Sequence, residues 1–109
     1  MSDYSDIQRT YYNAFLRGNL TPVSAETLAN YIVFGMPPGG FVTAVLANDL
    51  TGAFARADMH NVDRMQWWVK VIYNSIPSQA WGTYGKVQQW VASGGIEGQE
   101  AIADAEVMK

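Results

Sequence analysis

The chain has a single histidine, and it stands between two carboxylates as Asp58-x-His60-x-x-Asp63. Imidazole with carboxylates suits several divalent ions. The usual zinc sets need a second imidazole or a thiolate, however, and there is no other histidine and no cysteine. The plainer reading makes Asp58 a helix cap and leaves His60 and Asp63 facing solvent on the first turn. Ser24, Ser75, Ser78 and Ser93 offer hydroxyls, but none lies in a Gly-x-Ser-x-Gly elbow. Neither Gly-x-Gly-x-x-Gly nor a P-loop ending in Gly-Lys-Ser/Thr is present. No catalytic residue, metal ligand or cofactor is assigned on these grounds.

Residues suited to binding are easier to find. Gly35-Met36-Pro37-Pro38-Gly39-Gly40-Phe41 separates two apolar segments. At the start of a helix, the N–H groups of Gly39, Gly40 and Phe41 could hold a phosphate or carboxylate beside Pro38, or the loop could simply turn a tight corner. Asn48-Asp49 interrupts an apolar stripe. It reads either as a pair that hydrogen-bonds a base or sugar, or as a polar clamp between helix ends. Trp81, before Gly82, is either a lid over a planar ligand or a ring plugging the base of the fold. Trp67 and Trp68 are adjacent, so on a helix they point about 100° apart. One can be core while the other meets a partner.

The elements that must carry these residues are helical. Ile7, Tyr11, Ala14 and Phe15 predict a helix from Asp6 to Leu16, ended by Gly18, with Arg17 near its negative pole. Thr21-Pro22 opens a second, with Ser24 as an alternative start. Leu28, Tyr31, Ile32 and Phe34 form its apolar face, and Gly35 stops it. A third helix is expected from Gly40 to Arg56 on Phe41, Val42, Val45, Leu46, Leu50, Ala53 and Phe54. Asp49 then falls on or beside the buried face, where a charge needs a partner or water. Asp58 caps a fourth from Met59 to Ser75, with Met65, Val69, Ile72, Tyr73 and Ile76 inward. Pro77 cannot continue it. A short last helix spans Thr83 to Ala92 and buries Val87, Trp90 and Val91 before Gly94-Gly95. The tail from Ile96 is expected to be loosely held, or a frayed helix ordered by contact. β-Branched residues do not alternate, so strands are not expected.

This amounts to an all-α bundle of four to five helices. Residues 1–20 read as an N-terminal helical extension, 21–95 as the core domain and 96–109 as an acidic tail. With 109 residues, and four Trp, six Tyr and four Phe among them, the chain can build a core without staples, since each ring buries roughly 150–250 Å². Such an aromatic load predicts self-association. The absence of cysteine fits a reducing cytosol. A formal charge of −3 without any basic run weighs against a DNA or RNA backbone as partner. The polar, acidic start is not a signal peptide, and no apolar run approaches the ~20 residues that span a bilayer.

From Leu28 to Val91 the chain resembles a family of small uncharacterised proteins of tailed bacteriophages. The resemblance rests on Tyr31-Ile32-Val33, Met36-Pro37-Pro38-Gly39-Gly40-Phe41, Ala44-Val45-Leu46-Ala47-Asn48-Asp49-Leu50 and Ala53-Phe54-Ala55-Arg56-Ala57-Asp58. Asn61, Tyr73-Asn74, Pro77, Trp81-Gly82, Val87 and Trp90 complete it. Thr83 stands where Ser is commoner, and either caps a helix. The resemblance implies a phage protein acting in the host cytoplasm. In that setting the expected function is non-enzymatic binding, countering host defence by sequestering a nucleotide-derived signal. Pro38, Gly39, Gly40, Phe41, Asn48, Asp49 and Trp81 would then form the ligand site. The alternatives are an adaptor or inhibitor of a host protein acting through Trp67 or Trp68, and a hydrolase of a nucleotide signal.

Overall fold

The computed structural model describes residues 4–107. Met1–Asp3 and Met108–Lys109, the outer ends of the expected extension and tail, lie outside the described residues. Among the described residues are eight α-helices, one short 3-10 turn and no strand. The all-α class holds. Four to five helices is an undercount, because two expected helices each break in two and Gly95–Val107 is also helical.

α1 (Tyr4–Arg17) and α2 (Pro22–Phe34) form an antiparallel hairpin. Gly18 and Asn19 make the turn, and the Leu20 N–H returns to the Phe15 carbonyl. Thr21 caps α2 by accepting from the Ser24 N–H at 3.2 Å, with Pro22 at the first helical position. The segment read as an extension packs along α2 and places a fully buried Phe15 in the main core.

α2 is the axis of the fold. α1, α7 (Tyr84–Ser93) and α8 (Gly95–Val107) all pack on it. Ala25, Leu28, Ala29, Tyr31, Ile32 and Val33 are buried, so the helix is apolar almost all round rather than striped. Phe34, expected inward, is only half-buried, and Val33 takes the inner place.

Two buried rings fasten α2 to its neighbours. The Tyr31 hydroxyl donates to the Ala80 carbonyl at 2.7 Å, in the 3-10 turn Ser78–Ala80. Burial pushes that phenol above its ordinary titration range. The Trp90 indole N–H of α7 donates to the Tyr31 and Ile32 carbonyls at 3.1 and 3.2 Å. Both lie in the last turn of α2; the Tyr31 carbonyl also accepts the Gly35 N–H at 3.0 Å, and that of Ile32 lies past the helix's own donors.

Gly35 ends α2 in the left-handed region, as its place predicts. It also lets two backbones touch. A Cβ on Gly95 would lie 2.5 Å from the Gly35 nitrogen and 2.7 Å from the Ile32 oxygen. Gly95 has φ +69° as well, so both space and torsion exclude a side chain there.

The expected Gly40–Arg56 helix is two helices, α3 (Gly40–Leu46) and α4 (Leu50–Arg56), folded back on each other. Asn48 adopts φ +65°, and Asp49 Oδ1 accepts from the Gly52 N–H at 2.9 Å. Asn and Asp offer the backbone local alternatives to helix continuation, and here they prevail. Gly52 therefore sits in the first turn of α4 rather than in mid-helix.

The expected Met59–Ser75 helix is likewise α5 (Met59–Asp63) and α6 (Met65–Ser75), broken at Arg64. Asp58 caps α5 by accepting from the Asn61 N–H at 2.8 Å. Arg64 lies near φ −106°, ψ 8°, and its guanidinium donates to the Asn19 carbonyl at 3.2 Å.

These contacts predict opposite outcomes for two glycine substitutions measured by urea unfolding. Gly95→Ala should cost more than about 2 kcal/mol, because backbone has to move. Gly85→Ala, in α7 with nothing but the Thr83 hydroxyl in van der Waals reach, should gain roughly 0.5–1 kcal/mol from helix propensity. Equal losses would show that the Gly35–Gly95 approach is not what holds α8.

Candidate functional site

The face of α6 decides where a cleft can form. The inner stripe was expected to include Val69 and Tyr73. Instead Trp68 is fully buried, and Met65, Val71, Ile72 and Ile76 join it. With Trp68 rather than Trp67 taking the inward direction, Val69 and Tyr73 are 53% and 74% exposed. Trp68 packs edge-on against Phe41 at 5.5 Å and donates its indole N–H to Asn61 Oδ1 at 3.3 Å. Of the two adjacent tryptophans it is the core one, which leaves Trp67 as the ring of the pair that can meet a partner. Trp67 is half-buried, with the Lys70 ammonium 5.3 Å from its ring centre.

Between the outer side of α6 and α3 lies a cleft of about 260 Å³, lined by Val45, Asn48, Val69, Ile72, Tyr73 and Trp81. A shallow groove of about 40 Å³ continues it along Leu50, Ala53 and Met65, past Asp49. The two share Val45, Asn48 and Val69. Tyr73 and Trp81 meet edge to face at 6.4 Å. Asn48, the turn residue between α3 and α4, makes no side-chain hydrogen bond among the described residues. The buried indole N–H of Trp81 also has no acceptor among them. Most buried polar groups are paired, so an unpaired N–H beside a cleft is a distinguishing feature.

The neighbouring carboxylate is fully engaged. Asp49 Oδ2 accepts from the Tyr84 hydroxyl at 2.5 Å while Oδ1 caps α4. Arg56, one turn on, donates to the Gly52 carbonyl at 3.1 Å. The Tyr84 bond first, then the Gly52 N–H and the Arg56 charge, hold the Asp49 carboxyl below its ordinary pKa. The same bond raises that of Tyr84. Asp49 is thus the clamp between helix ends, and Asn48 is the member of the pair left uncommitted.

Of the residues expected to bind a ligand, Asn48 and Trp81 come together and Asp49 lies alongside. Pro38, Gly39, Gly40 and Phe41 stand at the other end of α3 and line neither hollow. Gly39 has φ +87° and open space around it. Gly40 lies against the aliphatic stem of Arg56, and Phe41 is spent on Trp68. The loop turns a corner. Tyr73, Val69 and Tyr84 were missed as site residues. Nothing in their spacing separates them from core positions, and only the identity of the inward ring on α6 does so.

His60 is exposed on α5 and lines no part of the cleft. No group of three His, Cys, Asp or Glu that could hold a metal occurs among the described residues. No helix among them is long and apolar enough to cross a membrane. Other hollows exist, one of about 370 Å³ between α1 and α2 with Gln8, Arg9, Tyr12, Asn13 and Glu26 on its walls. It combines fewer apolar walls with opposite charges, a lining closer to ordinary wet surface than to a ligand site. The chain matches no protein-family model, no curated protein and no solved structure.

The Asp49–Tyr84 bond makes stability sensitive to pH at both ends of the scale. Because the folded Asp49 pKa is depressed, its contribution is complete above the unfolded value of ~3.9 and is lost as pH falls through the folded value. Because that of Tyr84 is raised, its contribution is complete below ~10 and is lost as pH rises through the folded value. Urea unfolding should therefore separate wild type from Tyr84→Phe near neutrality, with the gap closing at both extremes. A gap independent of pH would contradict the assignment.

Proposed function

We propose that this is a non-enzymatic binding protein that takes a flat, uncharged ring of nucleobase type into the cleft between α3 and α6. The reading is carried by the meeting of Asn48, Tyr73 and Trp81 around one hollow that has no charged side chain on its walls. An uncommitted primary amide offers a donor and an acceptor to a base edge. An exposed aromatic face offers stacking, worth roughly 1–3 kcal/mol per base.

Size and charge narrow the ligand. A volume of about 260 Å³ falls below the roughly 300–1,000 Å³ of sites that enclose a drug-sized molecule. One ring of a larger signal enters, and its sugar and phosphates stay outside. The groove that continues the cleft carries the Asp49 carboxylate, which also favours the base end over the phosphate end. The resemblance to phage proteins supplies the setting: sequestration of a nucleotide-derived defence signal in the cytoplasm of an infected host.

A protein partner is the second reading, favoured by the exposed Leu50, Val69 and Tyr73 along the rim. Apolar side chains at a groove edge are what an adaptor or inhibitor presents. Two copies paired across this rim would give the expected self-association. The hydrolase reading has no support in the cleft, since no histidine or carboxylate lines it.

Thermal unfolding with nucleosides, cyclic di- and trinucleotides and ADP-ribose derivatives tests the proposal. A bound ligand at ~100 times Kd should stabilise wild type by roughly 2.7 kcal/mol and be recovered unchanged. Asn48→Gly keeps the positive φ and removes the amide, and it should lose most of that shift. A flat response across the panel overturns the ligand reading. Retention of one host protein by wild type but not by Val69→Asp would then establish the adaptor. Recovery of altered ligand would establish catalysis.

A further inference from the structure

On the side that follows Trp81, the wall of the cleft is tied down at two points, and both lead to the turn between α3 and α4. The Gly82 N–H donates to the Leu46 carbonyl at 2.7 Å. Two residues on, the Tyr84 hydroxyl donates to Asp49 Oδ2 at 2.5 Å. Between them Thr83 caps α7 by accepting from the Lys86 N–H at 3.1 Å, so the ties are linked by one short capped segment. Gly82 holds φ +122°, a torsion that side chains rarely adopt. The Trp81 backbone is extended, and its ring lies against Tyr73.

We propose that Tyr84 and Asp49 are positioning residues for the binding cleft, a latch that sets where the Trp81 ring stands relative to Asn48. The inference rests on the reading of this cleft as the binding site, and goes beyond it by assigning its geometry to two residues outside its lining. The economy of the arrangement supports it. Asn48 and Asp49 are consecutive, so the turn that presents the free amide also carries the carboxylate that anchors the opposite wall. The turn is stiffened by the Asp49 cap on Gly52 and by Arg56 on the Gly52 carbonyl. Lys86, whose stem passes Gly82, donates to the Ser78 carbonyl at 3.4 Å and leaves the latch to Tyr84, Asp49 and Arg56.

Fluorine NMR on the full chain labelled with 5-fluorotryptophan tests this, because the four tryptophans report separately and Trp81→Phe assigns the relevant signal. Tyr84→Phe should move the Trp81 resonance and raise its H2O/D2O isotope shift. The buried Trp68 and Trp90 signals should stay in place. An unmoved Trp81 signal overturns the proposal, and so does a common shift of all four, which would mean general loosening. Adenosine titrated into the same samples is the separate probe of the cleft. Its affinity should fall roughly three- to tenfold in Tyr84→Phe, the loss expected of one hydrogen bond. Unchanged affinity beside a moved Trp81 overturns the functional part of the latch. If wild type does not bind adenosine, the base-binding reading fails while the Trp81 signal still decides the latch.

Discussion

Everything in this fold leans on the last turn of α2. The last carbonyls of any helix need donors from beyond it; here the Gly35 N–H and the Trp90 indole N–H share that of Tyr31, and Trp90 also reaches that of Ile32. The phenol of Tyr31, in the same turn, reaches out to Ala80. The backbone of Gly35 then lies directly on that of Gly95. One turn of helix thereby fixes the positions of α7, α8 and the 3-10 turn. Buried polar groups of this kind are costly to leave unpaired, on the order of 1–3 kcal/mol each. They therefore select one arrangement of the helices over other packings of similar apolar area.

The cleft is a consequence of that arrangement. The 3-10 turn held by Tyr31 leads directly into Trp81, so the core bond sets where the cleft's aromatic wall begins. On the other side, burial of Trp68 against Phe41 turns Val69 and Tyr73 outward. Packing in the interior and exposure at the site are thus two results of the same choice of inward ring. An aromatic, amide-bearing hollow with no charge on its walls is suited to recognition by shape, stacking and one or two hydrogen bonds.

Much of the fold was legible in the residues because local chemistry dictated it. Thr21-Pro22, Asp58 and Thr83 each cap a helix as their types predict, and Gly35 and Gly94 each end one. Local chemistry also explains the main departures. The apolar stripe from Phe41 to Phe54 continues through Asn48-Asp49, but the backbone does not, since those side chains satisfy the turn better than the helix would. The tail looked weak by hydrophobicity, yet its first turn is placed by a glycine contact that no apolar pattern records. At the site, Asn48 and Trp81 stood out by type and context. Val69 and Tyr73 did not, because helical spacing cannot say which of two adjacent tryptophans turns inward.

The claim on which the functional account depends is that the hollow between α3 and α6 is the recognition surface. Amide and indole chemical-shift mapping of the 15N-labelled chain, titrated with nucleosides, tests it most directly. The account predicts perturbations centred on Asn48, Val69, Tyr73 and the Trp81 indole N–H, with α1 and its hollow against α2 unmoved. Perturbations centred on Gln8, Arg9 and Glu26, or none at saturating nucleoside, would contradict it.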